Sequence, residues 1–393
     1  MTEIYREVLG RLDEVQLFDT LDVKLVIRER TDDDSEKKDR RYFVDHFETD
    51  SDVYHSEILT ESKERIDQLN DKLSESDWNI FYVFKELFQI LGDVKTNGLG
   101  FNYFRGQRDN WELRPGIARP NINNDLIRYY DYHYSEIAEK FPHDIKYIEY
   151  DKGNIKDRAE QLAILQHYGF HTSLLDITSN PYIALEFMIS GASSSEKNFE
   201  NSTFNFFLID PNKHNVDNVF TTVKRNDINV RLTAQEGAFL NFDALFDIKT
   251  TKIKKIQRVA VELVFDEQRN DDSHLLLEGL RDVREQHNER VQRTLFGNNS
   301  TDLLEGDVDV FDYLKSEVIS RDGLDSLIND IKNDIAANEK RINYCFLDIQ
   351  GDIRRKLSEY YYLEEKLYPD FPTYISYQKN KFIESTMQKN YNL

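Results

Sequence analysis

With 393 residues, 39% of them hydrophobic and 12% aromatic, the chain is long enough to bury a substantial core and to form two or three folding units. Its 51 Lys and Arg against 73 Asp and Glu give a formal charge of -22, a field that repels polyanions at long range and disfavours broad, nonspecific nucleic-acid binding. A single cysteine, Cys345, excludes an intrachain disulfide and a multi-cysteine zinc site, and its apolar setting Ile342-Asn343-Tyr344-Cys345-Phe346-Leu347 reads as core.

No run approaches about 18 consecutive apolar residues, and the first residues lack a basic segment followed by an apolar one. The expectation is a globular, cytoplasmic protein with no membrane partner.

Residues 1–80 read as an N-terminal accessory region. Weak alternation flanks the charge run Thr31 to Arg41, the pattern of a solvated hairpin or loop. Ile66, Leu69 and Leu73 predict a helix from about Ser56 to Leu73, and a more apolar helix follows from Trp78 to Leu91, stopping near Gly92. The span 81–265 reads as the first part of the core. Phe101 to Gly106 predicts a short strand with Arg105 at its end, helices are predicted over 124–139 and 157–168, and a short strand over Thr172 to Leu175. Asn180-Pro181 opens another helix, since proline is tolerated in the first turn. Residues 191–201 read as a small, polar connector, and strands are predicted at Phe204 to Asp210, Ala238 to Phe242 and Val259 to Phe265. The span 266–340 is a charged, helix-prone insertion. Residues 341–393 close the core, with strand character from Ile342 to Ile349, a helix from Ile353, and a core role for Tyr360-Tyr361-Tyr362. The fold class is α+β, a compact mixed sheet with surrounding helices.

Three blocks concentrate chemistry. Arg105 has a permanent charge, and Gly106 after it leaves room for close backbone approach, two requirements of a phosphate contact. Arg108, Arg114 and Arg119 follow closely, with Asp109 and Glu112 as ion-pair partners for some of them. From Gln166 to Thr178 the chain offers an amide, the imidazoles of His167 and His171, the carboxylate of Asp176, and the hydroxyls of Thr172, Ser173 and Thr178. Asp176, Thr178 or Ser179 also suits capping of the helix at Pro181, and His167 also suits a buried, hydrogen-bonded role between loops. In Arg231 to Phe239, Glu236 stands at a strand entry, pointing into a cleft or lying in an exposed turn. No Gly-rich phosphate loop, His-Glu-x-x-His helix or Gly-x-Ser-x-Gly elbow is present, and Gly169 between His167 and His171 argues against a helical metal pair.

In order, these blocks resemble the FRG domain family. Phe104-Arg105-Gly106, Trp111-Glu112-Leu113, Arg119, Gln166-His167-Tyr168-Gly169, Leu174-Leu175-Asp176-Ile177-Thr178, Asn180-Pro181, Ala234 to Phe239 and the closing Leu367-Tyr368-Pro369-Asp370-Phe371 carry the resemblance. Two positions depart from it: His171 stands where proline is common, and Ser173 where arginine is common. The motif order is in turn similar to that of the ADP-ribosyltransferase superfamily. That resemblance implies an NAD-dependent ADP-ribosyltransferase or NAD-consuming enzyme in a phage-defence or toxin–antitoxin setting, with NAD as substrate and a protein or nucleic acid as acceptor. It implies NAD contacts from Arg105, Arg119, Gln166, Thr172, Ser173 and Thr178, and a catalytic Glu236, with Asp176 and its partner His167 as the alternative acid. A noncatalytic ligand- or partner-binding module, and a metal-dependent nucleotide or nucleic-acid hydrolase using Asp176 and Glu236, are the competing readings.

Overall fold

The computed structural model of the chain describes residues 17–30, 40–49, 56–75, 77–151, 153–190, 202–214, 218–222, 230–246, 254–266, 276–282, 285, 321–370 and 374–379. Its strands are β1 Phe18–Glu29, β2 Tyr42–Thr49, β3 Tyr103–Gln107, β4 Leu174–Thr178, β5 Thr203–Leu208, β6 Phe220–Thr221, β7 Gly237–Asn241 and β8 Ile256–Phe265. The principal helices are α1 Glu57–Glu75, α2 Ile80–Asp93, α3 Tyr130–Lys140, α4 Ile155–His167, α5 Pro181–Ile189, α6 Val230–Ala234 and α7 Arg321–Glu359. The chain divides into two units, Met1–Val264 with Phe346–Leu393, and Phe265–Cys345. Within the second, Leu277, Leu280, Ile328, Ile331 and Ile335 form a small apolar cluster. The connector at 191–201 and much of the charged segment after 266 lie outside the described residues.

The eight strands form one sheet in the order β2-β1-β8-β5-β3-β4-β7-β6. Ile256 N–H donates to the Leu17 carbonyl, and Arg258 stands over the Phe18 ring, so β8 and β1 begin together and run in the same direction. The remaining neighbours are antiparallel, which makes the sheet mixed. Burial follows position. Central β5 is buried at every residue, the signature of a strand covered on both faces, whereas β1 alternates, with Leu21, Val23 and Leu25 inside and Asp22 and Lys24 outside. The α+β architecture with a mixed sheet and surrounding helices is as the sequence predicts, and β1 and β2 extend the same sheet rather than forming a separate layer.

Helix α2 buries Ile80, Phe81, Phe84, Leu87 and Leu91, a stripe at spacings of three and four, with the Asn79 side chain capping Phe81 N–H. Phe84 and Phe88 pack on Phe204, and Phe88 also meets Phe104 and Phe206. Helix α5 starts at Pro181 with Asn180 as its cap, accepting from Tyr182 and Ile183, so Asn180 takes the capping role assigned from sequence to Asp176, Thr178 or Ser179. Thr178 Oγ1 supports that cap by accepting from Asn180 N–H at 3.1 Å. Helix α5 lies so close to β3 that a Cβ on Gly106 would stand 1.9 Å from the Ala184 carbonyl oxygen. The missing Cβ at Gly106 is thus required by the helix packed on β3, while the residue itself still lines the cavity described below.

Two further expectations are corrected. Ile342 to Ile349 is not a strand but part of α7, where Ile342, Cys345, Phe346, Ile349, Ile353 and Leu357 are buried at intervals of three and four. A short apolar run satisfies strand and buried-helix patterns alike, and the longer stripe decides. In the tyrosine run, Tyr361 is 79% exposed with φ of 65°, so it is a turn residue and not core. Among the described residues no helix is long and apolar enough to cross a membrane.

Candidate functional site

Strand β3 pairs with β5 over all five of its residues but with β4 only through Phe104 and Thr178. Beyond that pair the two strands separate. Ladder groups that separation frees need other partners, and Arg105 supplies one: its Nη1 donates to the Asp176 carbonyl across the gap at 2.7 Å. Beside it lies a cavity of about 320 Å³, lined from β3 and its following loop by Arg105, Gln107, Arg108 and Trp111. From α4 come Gln166 and His167, from β4 Asp176 and Thr178, from α5 Phe187, from α6 Arg231 and Leu232, from the turn after it Gln235, and from β7 Phe239.

Local folding explains how these groups meet. Helix α4 is held by Arg158, fully buried and paired with Asp131 at 2.9 Å and Asp243 at 3.2 Å, a geometry that offsets the desolvation of a buried guanidinium. The helix ends at Gly169, whose φ of 88° is the left-handed conformation that terminates helices, and the chain turns directly into β4. That turn sets Gln166 against two residues downstream. Its Nε2 donates to Asp176 Oδ1 at 2.7 Å, and its Oε1 accepts from Thr172 Oγ1. An exposed carboxylate is thereby given one fixed orientation.

His167 Nε2 stands 3.6 Å from Asp370 Oδ2, too long for a hydrogen bond but within ion-pair reach. Burial pushes the His167 pKa below its ordinary value; Asp370 opposes that shift and Arg231 adds to it. The Arg105 pKa is also lowered, first by burial and then by nearby Arg119, against the pull of Asp176. Arg105 Nε is buried with no hydrogen-bond partner. Arg231 lies over the Tyr368 ring, and Gln235 Nε2 donates to the Leu367 carbonyl, so the segment after α7 backs two cavity residues as well as His167.

The predicted site residues separate into two groups. Arg105, Gln166, His167, Asp176 and Thr178 line the cavity. Thr172 is buried behind Gln166, Ser173 is buried with its hydroxyl unpartnered, and exposed Arg119 lies near Arg105 without lining the cavity. Glu236, at φ of 47°, turns its carboxylate to Asn180 Nδ2 at 2.8 Å and Ser179 Oγ at 3.4 Å, while its neighbours Gln235 and Gly237 line the cavity. Asp176 is thus the carboxylate on the cavity wall among the described residues, facing a set that includes Arg105, Arg108 and Arg231. No group of three or more His, Cys, Asp and Glu suited to a metal ion occurs among the described residues.

The Phe-Arg-Gly strand and the Gln-His-Tyr-Gly helix end meet at one cavity. Residues 101–197 match the FRG domain family. No curated protein and no solved structure matches the chain. The FRG segment supplies β3, α4, β4 and α5, and α6 and β7 complete the cavity from beyond it. Phe187, Arg231 and Gln235 are cavity residues that the sequence reading gave no site role; Arg108 belongs to the arginine cluster and Trp111 to the family motif named there, and both line the cavity. Arg231 and Gln235 carried a usable signal, a helical spacing of four immediately before a strand.

Proposed function

We propose that the FRG cavity binds a nucleotide through its anionic groups, and that the nucleotide is NAD, consumed with release of nicotinamide. The observation that carries the reading is Arg105: a half-buried guanidinium on the cavity wall whose Nη1 orders the Asp176 carbonyl and whose Nε–H lacks a protein partner. A buried donor without a partner is an incomplete contact, and a phosphate oxygen completes it with a charge-assisted bond. Arginines outnumber carboxylates on this wall in a chain of net charge -22, so the local field runs against the global one. At about 320 Å³ the cavity is at the small end of small-molecule sites, so one half of a dinucleotide lies inside.

NAD, when bound, supplies a glycosidic bond whose cleavage releases neutral nicotinamide and leaves positive charge on the ribose. Asp176, oriented by Gln166, opposes that charge. His167, held neutral by burial, accepts the proton of the attacking water or acceptor hydroxyl, and Asp370 stabilises the resulting imidazolium. In the phage-defence or toxin–antitoxin setting that the FRG resemblance implies, the output is loss of NAD or ADP-ribosylation of an acceptor.

A noncatalytic nucleotide-binding module is the second reading, favoured by one observation: Glu236, the acid expected from motif order, is engaged with Asn180. Free nicotinamide measured over time with wild type and Asp176→Asn separates the two. Release by wild type, reduced at least a hundredfold in Asp176→Asn with NAD binding retained, supports the enzyme. Saturable NAD binding without release supports the module.

A further inference from the structure

Trp111 is 53% exposed, and among the exposed large hydrophobic side chains of the described residues it alone also lines the cavity. Its backbone is nevertheless held firmly. Buried Gln107 donates from Nε2 to the Trp111 carbonyl at 3.2 Å and accepts at Oε1 from buried Asn205 at 3.0 Å. Asn205 in turn accepts from Arg258 Nε at 2.8 Å. Trp111 N–H donates to the Asp109 carbonyl at 2.8 Å.

A polar chain that runs through β3, β5 and β8 thus ends on the main chain of a residue whose indole is left half in water. An indole in that position forgoes burial, the usual use of so large an apolar surface, while its loop is already ordered. The cavity beside it has apolar walls in Phe187, Leu232 and Phe239, with arginines between them. An amphipathic ligand with a flat face and anionic groups matches both.

We infer that Trp111 is a preformed stacking platform for the heteroaromatic base of the bound nucleotide. This rests on the nucleotide reading of the cavity but not on NAD cleavage. Arg105 and Arg108 take the phosphates, and the indole takes the base face, which every nucleobase and nicotinamide present alike. Specificity for a base over a bare phosphate then resides in this one side chain.

The chain has two tryptophans, so Trp78→Phe leaves Trp111 as the sole indole reporter. Titrating this protein with NAD, AMP and inorganic pyrophosphate, read by tryptophan fluorescence and thermal shift together, tests the inference. NAD and AMP are expected to quench saturably, while pyrophosphate stabilises without comparable quenching. In the otherwise wild-type chain, Trp111→Ala is expected to weaken AMP about tenfold and leave pyrophosphate within twofold, and Trp111→Phe to restore most of the loss. Equal AMP affinity in wild type and Trp111→Ala overturns the platform, as does pyrophosphate binding with no response to AMP. Quenching by NAD without nicotinamide release supports the platform while removing the enzymatic reading, and absence of binding by all three probes overturns both.

Discussion

Gln166 Nε2 donates to Asp176 Oδ1 at 2.7 Å, and because the same amide accepts from Thr172, it has no alternative orientation that satisfies both neighbours. One residue at a helix end therefore fixes the carboxylate that faces the cavity arginines. Gln166→Glu keeps the shape and reverses this effect, since a second carboxylate replaces the donor. Calorimetric titration with NAD is expected to show at least tenfold weaker binding at pH 7, with partial recovery toward pH 5 as one of the acids is protonated.

Gly106→Ala separates packing from ligand contact. The new Cβ would meet the Ala184 carbonyl at 1.9 Å and the Met188 backbone nitrogen at 2.7 Å, both main-chain atoms that move only with helix α5. Urea denaturation should show a loss of about 3 kcal/mol. Unchanged stability with lost nucleotide binding would instead restore the reading of Gly106 as a point of ligand approach.

Burial lowers the His167 pKa below the ordinary 6.5. As pH falls, the unfolded chain takes up this proton before the folded one, so His167 contributes stability above about pH 6.5 that is lost as pH falls toward the folded value. Asp370→Asn removes the group that raises the pKa, so the imidazole titration followed by NMR should move to still lower pH. A shift to higher pH would contradict the pairing.

Glu186 on α5 behaves oppositely. It is 2% exposed, its Oε1 has no hydrogen-bond partner, and burial pushes its pKa from 4.5 up to about 7, with Arg354 opposing the shift. The folded state holds this proton longer than the unfolded chain, so the favourable contribution is complete below pH 4.5 and is lost as pH rises through 7. Glu186→Gln should stabilise the protein at pH 8 by on the order of 2 kcal/mol and have little effect at pH 4, measured by urea denaturation at both.

The parts of the fold and site that were readable share a physical basis. Helices α1, α2 and α4 carry long stripes at helical spacing, and Gln166 to Asp176 is a helix end, a glycine turn and a strand in immediate succession, so proximity follows from chain geometry alone. The direction of Glu236 does not. Whether it turns to the cavity or to Asn180 depends on a left-handed φ at a non-glycine residue and on a partner 56 positions away. The packing demand at Gly106 is not legible either, because an empty Cβ position serves a ligand or a helix equally well. The run Ile342 to Ile349 is ambiguous by itself, because eight residues carry too few turns to separate the two periodicities. Trp111 stands in a motif of the family pattern, but its exposure carries no sequence signal, since that is set by what the rest of the chain leaves uncovered.

The central claim is that Arg105, with its forked guanidinium and Nε–H donor, is the anion-binding group of the cavity. Arg105→Lys retains the charge but removes that donor and the fork that also reaches the Asp176 carbonyl. Isothermal titration with NAD and with inorganic pyrophosphate, on wild type and this variant, tests the claim directly. Saturable binding of both by wild type, at least tenfold weaker for both in Arg105→Lys and declining with added salt, is the predicted result. Equal affinity in the two proteins, or no binding heat in wild type, would contradict the account.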